Sequence, residues 1–265
     1  TAKGASAALW NLDRPQSVRE VHRAYVEAGA RVLLTNTFVA SRDALGVVGR
    51  AGQMTEIHQA AVAHARAAGA DWVVGDLGPI WGWRHFGRPV DHAAARDAYR
   101  EQAAALVEAG VDGLALETLG DPRELQAAVE GCRRAGAPAV IASMSFVQRE
   151  GGFETVTGAS LDEAAGAMGA SGADAWGANC ALFPSAMARL GKQLSERLGG
   201  PHVLKPNSGP GREGGAPSEF ARIGLEMLAS GASAVGGCCG AGPAHIAALA
   251  ALVDHGRING GAGRA

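Results

Sequence analysis

"EAGVDGLALET", residues 108–118, decides how this chain folds. A helical stretch ends at Ala109 and Gly110, an apolar run follows, and the run closes on an acidic residue, Glu117. Glycine just past a helix suits the left-handed backbone needed there, because it has no Cβ to clash. The apolar run does not alternate cleanly, as expected of a strand covered on both faces. The same unit recurs as EAGARVLLTNT (27–37), AAGADWVVGD (67–76), RAGAPAVIAS (134–143), ASGADAWGAN (170–179) and LASGASAVGG (228–237). A looser copy is LGGPHVLKPN (198–207). Helical stretches such as VREVHRAYVEA (18–28) and HAAARDAYREQAAALVEA (92–109) lie between them, apolar at i, i+3 and i+4.

Alternating units of this kind predict a parallel sheet. The length of 265 residues suits a (β/α)8 TIM barrel, which takes roughly 250. An open doubly wound sheet is the alternative. The count is one strand short, and residues 1–10 are small and polar, so nothing before residue 18 supplies it. The first strand is therefore missing or upstream of this chain, or the barrel is completed differently. Residues 1–257 read as one barrel domain and 258–265 as a Gly-rich tail, expected to fray.

Composition removes several classes of function. The net charge is −2 with no run of Lys or Arg, which argues against a nucleic-acid or anionic-membrane surface. No apolar stretch approaches the roughly 20 residues of a membrane span. Four cysteines in a chain of this length do not form a disulfide framework, which points to a reducing, cytoplasmic setting.

Chemistry in such barrels collects at the C-terminal ends of the strands. Those ends carry Asn36, Asp76, Glu117, Ser145, Asn179 with Cys180, Asn207, and Cys238 with Cys239. Three thiols on one rim suit zinc, which favours tetrahedral sulfur. Successive side chains of a regular strand point to opposite faces, so Cys238 and Cys239 serve one ion only if the strand breaks. Gly236, Gly237 and Gly240 permit that break. The competing reading is three buried small hydrophobes. Cys132 falls in the helical stretch ELQAAVEGCRR and reads as an ordinary half-buried cysteine. His22, His58, His64, His92 and His245 fall on helical patterns and are expected at the surface or partly packed.

From about residue 10 to 253 the chain resembles the zinc-dependent homocysteine S-methyltransferases. The segments that carry the resemblance are TNTFVASR (35–42), GDLGP (75–79), LALET (114–118), GANCA (177–181), KPNSG (205–209) and GGCCGAGPAHIAAL (236–249). The resemblance implies Zn2+ on Cys180, Cys238 and Cys239, and Glu117 as the carboxylate that receives the homocysteine amino group. It places Asn36 and Asn179 around the substrate or behind the metal ligands. The family's opening D-G-x-x-G-T strand is absent here. The implied activity is methyl transfer to homocysteine, giving methionine. Alternatives are a homocysteine-binding module that needs partner cobalamin or folate domains, and a phosphate-binding barrel lyase or isomerase. The donor stays open among betaine, S-methylmethionine, S-adenosylmethionine and methylcobalamin on a partner. The aromatic loop IWGWRHF (80–86), with Phe38, would suit a methylated cation or simply pack on the barrel.

Overall fold

The computed structural model describes residues 2–80 and 89–260; all but the first residue of the IWGWRHF loop lie outside the described residues. Seven parallel strands form one sheet: β1 (Val32–Leu34), β2 (Trp72–Leu77), β3 (Gly113–Leu119), β4 (Val140–Met144), β7 (Ala175–Asn179), β8 (His202–Lys205) and β9 (Ala234–Val235). β5 (Phe146–Arg149) and β6 (Gly152–Thr155) make a separate antiparallel hairpin after β4. Neighbours in the sheet follow chain order, β1-β2-β3-β4-β7-β8-β9. A doubly wound sheet reverses its strand order at a switch point. This one never does, and it curls into a half-barrel of the (β/α)8 kind.

Each unit forms for the reason its sequence suggests. Gly110, after the helix His92–Glu108, has φ 87°, a left-handed turn into β3. Helices start on side-chain caps: Asp91 accepts from the Ala94 amide (3.1 Å), and Ser160 and Glu163 form a reciprocal capping box. Alternate strand residues then divide between two faces. Leu33, Val73, Leu114, Leu116, Val140, Ala142, Ala178 and Leu204 are buried in the core shared with the outer helices. Trp72, Val74 and Asp76, with Gly113, Ala115 and Glu117, share the opposite, inner face by the same alternation.

Among the described residues β1 and β9 are the sheet edges, and no eighth strand lies between them. The helix layer bridges the gap. In α2 (Pro15–Glu27), the Tyr25 hydroxyl donates to the Ala241 carbonyl (2.8 Å), and Gly29 packs on Ala250 of the last helix. The inner face stays partly open at the strand starts, where Val32 and Trp72 are exposed and a cavity of 160 Å³ forms. That end is opposite the cysteines.

Two expectations need correction. Residues 2–13 form a helix, α1, where the sequence offered only small and polar residues and no strand. Its buried Ala8 packs with Ala40, Leu45 and Ile57, and the buried Asn11 amide donates to the Asn36 carbonyl (2.8 Å). Small Ala-rich sequence is also good helix-former, and packing decides between the two readings. His22, His58 and His64 are buried, not at the surface. Burial pushes His22 and His58 down to about 4. The last helix spans Pro243–Gly260.

Tyr99 and Glu124 secure the segment after β2. Tyr99 is fully buried; its hydroxyl donates to Glu124 Oε1 (2.8 Å), and the Ile80 amide donates to both groups (3.0 Å each). Tyr99→Phe keeps the ring but removes a donor from a buried carboxylate. It is expected to cost about 1–3 kcal/mol, seen as a lower urea midpoint with unchanged slope.

Candidate metal centre

The Sγ atoms of Cys180, Cys238 and Cys239 lie within 4.8 Å of one another. The Cys180–Cys239 separation is 3.7 Å. Four sulfurs placed tetrahedrally about 2.3 Å from zinc are about 3.8 Å apart, so this spacing fits one ion with a fourth position left open. All four cysteines are free thiols, and Cys132 lies apart from the cluster in the hydrophobic core, where burial pushes its thiol up to about 12. The hydrogen bond from Cys238 holds the Cys180 thiol down at about 7 and pushes Cys238 well up. Burial raises Cys239 as well. A metal cation bound here would stabilise the thiolate form of the sulfurs that ligate it.

The local backbone explains how three sulfurs converge. β8 lies between β7 and β9, and the segment that follows it is docked to both cysteine turns. The Cys180 amide donates to the Lys205 carbonyl (3.1 Å), the Cys238 amide to the Pro206 carbonyl (2.9 Å), and the Ser208 amide to the Cys239 carbonyl (2.8 Å). Cys180 and Ala181 have φ 63° and 55°, and Thr118 has φ 61°. Left-handed backbone costs non-glycine residues roughly 1–2 kcal/mol each. Such residues cluster where function requires an unusual direction of the chain. Gly240 is left-handed too (φ 84°), and a Cβ there would collide with the Ser208 carbonyl. His245 completes the turn. Its Nδ1 accepts from the Gly242 amide (3.1 Å), and its Nε2 lies 2.9 Å from Ser208 Oγ. Sequence reading put His245 on a helix with no task; its place beside Gly-Pro was the available signal.

Asn179 is fully buried and fully engaged. Its Oδ1 accepts from the Thr118 amide (2.9 Å) and from Ser143 Oγ (2.7 Å). Its Nδ2 donates to Thr118 Oγ1 (2.7 Å) and faces Cys238 Sγ at 3.9 Å. It therefore stands behind a sulfur and ties β7 to β3 and β4, with no capacity spare for a substrate. Asn36 is used elsewhere: its side chain donates to the Ala7 carbonyl of α1 (2.7 Å). Glu117 is buried on the inner face and forms an ion pair with Lys205, which no sequence reading singled out. Asp76 is buried nearby, and desolvation pushes its carboxyl up to about 7 against the pull of Lys205.

The sequence pattern described as homocysteine S-methyltransferase matches residues 2–253. The chain belongs to the homocysteine S-methyltransferase family. It is 34% identical to a methionine synthase of Mycobacterium tuberculosis and 33% identical to one of Mycobacterium leprae. Each match covers 92% of this chain but 22% of the relative, so the chain spans about a fifth of their length. Among solved structures it resembles the homocysteine methyltransferase MmuM from Escherichia coli. The metallated form superposes with a TM-score of 0.78 at 26% identity, covering 93% of this chain and 88% of that one. The oxidised form gives a TM-score of 0.80, covering 94% and 88%. The family membership sets aside a phosphate-binding lyase or isomerase. Among the described residues no helix is long and apolar enough to cross a membrane.

Serine at Cys180, Cys238 or Cys239 is expected to abolish stoichiometric metal uptake, measured by elemental analysis after dialysis. Cys132→Ser is expected to leave it intact. Gly240→Ala is expected to weaken uptake although it touches no sulfur, because the turn carrying Cys238 and Cys239 has to move.

Proposed function

We propose that this chain moves a methyl group onto the thiol of homocysteine, giving methionine, with zinc held by Cys180, Cys238 and Cys239. The observation that carries this reading is the convergence of three sulfurs at the spacing of a tetrahedral thiolate site. Zinc bound there supplies a positive charge that lowers the pKa of a thiol entering the open position, making it a nucleophile at neutral pH. The chain's residues orient the partners. Asn179 fixes Cys238 and the strained Thr118 turn, and the rim carboxylates, Glu117 first among them, present negative charge to an α-ammonium. In the transfer, the thiol proton leaves to solvent and a bond forms between sulfur and the methyl carbon. The bond from methyl to donor breaks, its electron pair staying on the donor. A reducing, cytoplasmic location belongs to the same proposal, since thiols this close are easily oxidised.

One observation favours a second reading, in which the chain is a homocysteine-binding module served by cobalamin or folate domains: it spans only 22% of the methionine synthases it resembles. Turnover separates the two. The zinc-loaded chain is mixed with homocysteine and, in turn, betaine, S-methylmethionine, S-adenosylmethionine or methylcobalamin, and methionine is measured by mass spectrometry. Methionine from a small sulfonium or ammonium donor establishes a self-sufficient methyltransferase. Methionine from methylcobalamin alone establishes the module. A chain that binds no zinc and yields no methionine overturns both.

A further inference from the structure

Among the described residues, thirteen glycines but only three other residues have positive φ. Of those three, Cys180 and Ala181 make the turn that presents a sulfur. Thr118 (φ 61°) carries no sulfur, and a β-branched residue is poorly suited to left-handed backbone. Glycine would serve there without strain, so the Thr118 side chain has a task that glycine cannot perform.

The strain belongs to a bulge at the end of β3. Leu116 pairs with Ala142 and Leu119 with Met144, so Glu117 and Thr118 both stand opposite Ser143 of β4. A bulge of this kind re-aims side chains. Here Glu117 meets Lys205, while Thr118 reaches past β4 to Asn179 of β7. Thr118 holds both ends of that amide. Its main-chain N–H, which can only donate, faces Asn179 Oδ1 (2.9 Å) and so fixes which end of the amide is oxygen. Its Oγ1 then accepts from Nδ2 (2.7 Å). Ser143 Oγ, donating to Oδ1 (2.7 Å), braces the amide from the strand between. The remaining N–H of Nδ2 is left to face Cys238 Sγ, at 3.9 Å. A hydrogen bond to a ligating sulfur draws electron density from it and tunes the metal it holds.

We propose that Thr118 is a positioning residue for the metal centre: its hydroxyl sets the Asn179 amide so that an N–H is held against Cys238 Sγ, and the strained bulge brings that hydroxyl into place. This rests on the reading that Cys180, Cys238 and Cys239 hold zinc. Losing the hydroxyl leaves a buried N–H without an acceptor, and the amide turns away from the sulfur to satisfy it.

Cobalt(II) replaces zinc in the test, because its sulfur-to-metal charge-transfer band reports the electron density on the ligating thiolates. The wild type is compared with Thr118→Ser, which keeps the hydroxyl, Thr118→Val, which keeps the shape, and Thr118→Gly, which keeps the left-handed backbone and removes the strain. Thr118→Ser is expected to reproduce the wild-type band. Thr118→Val and Thr118→Gly are expected to move it to lower energy and to weaken cobalt binding about tenfold, as loss of a partner behind a metal ligand does. A merely structural role would lower the urea midpoint and leave the band of the folded, loaded chain where it is. If Thr118→Val does not fold, Thr118→Gly against Thr118→Ser decides alone. A wild-type band in Thr118→Gly overturns the assignment and leaves the metal reading standing. A Thr118→Ser band shifted as far as that of Thr118→Gly overturns it too, since the hydroxyl is then not the cause. A wild type that takes up neither cobalt nor zinc overturns the metal reading and this inference with it.

Discussion

Backbone hydrogen bonds to one short segment hold the whole centre together. Lys205, Pro206 and Ser208 run between two cysteine turns and bond to Cys180 on one side and to Cys238 and Cys239 on the other. Three sulfurs that repel as thiolates are thus brought together before any cation neutralises them. Main-chain hydrogen bonds and the packing beneath supply the free energy that sets their positions. This is why the backbone around the cysteines tolerates left-handed geometry at Cys180 and Ala181. It is also why Gly240, which touches no sulfur, matters as much as a ligand.

A layer of polar side chains lies beneath the sulfurs and sets their chemistry. Asn179 uses both ends of its amide to connect three strands and leaves Cys238 within reach of an N–H. Lys205 brings a positive charge to the inner face from the same strand whose backbone positions Cys180, and pairs with Glu117. One strand thus organises both the cysteine cluster and the carboxylates, so distortion of β8 is felt by both.

The sheet around this centre is open. β1 and β9 are edges among the described residues, and α2 with the last helix closes the outer layer where an eighth strand would lie in a full barrel. The opening exposes Val32 and Trp72 at the strand starts, while Leu77, Leu119, Met144 and Asn179 at the strand ends are fully buried. Helix α1 contributes through Asn11 and the Ala7 carbonyl, which hold Asn36 and the end of β1.

The sequence by itself determined the seven strand-helix units, their parallel order and the three cysteines that cluster at the strand ends. Each of these is written in local spacing: a glycine where a helix must turn, an apolar run, a cysteine at its end. It left α1 and the β5–β6 hairpin unread. Ala-rich segments look alike in a helix and a leader, and E-G-G between two short runs is a weak turn signal. Only the tertiary structure decided that Lys205 engages Glu117, that Asp76 Oδ1 is buried without a partner among the described residues, and that Asn36 donates to α1 while Asn179 stands behind a sulfur. Those pairings join residues from 25 to 88 positions apart, across a curved sheet, and depend on which face each strand turns inward. A one-dimensional pattern records which residues reach the rim. The curvature of the sheet decides which of them meet.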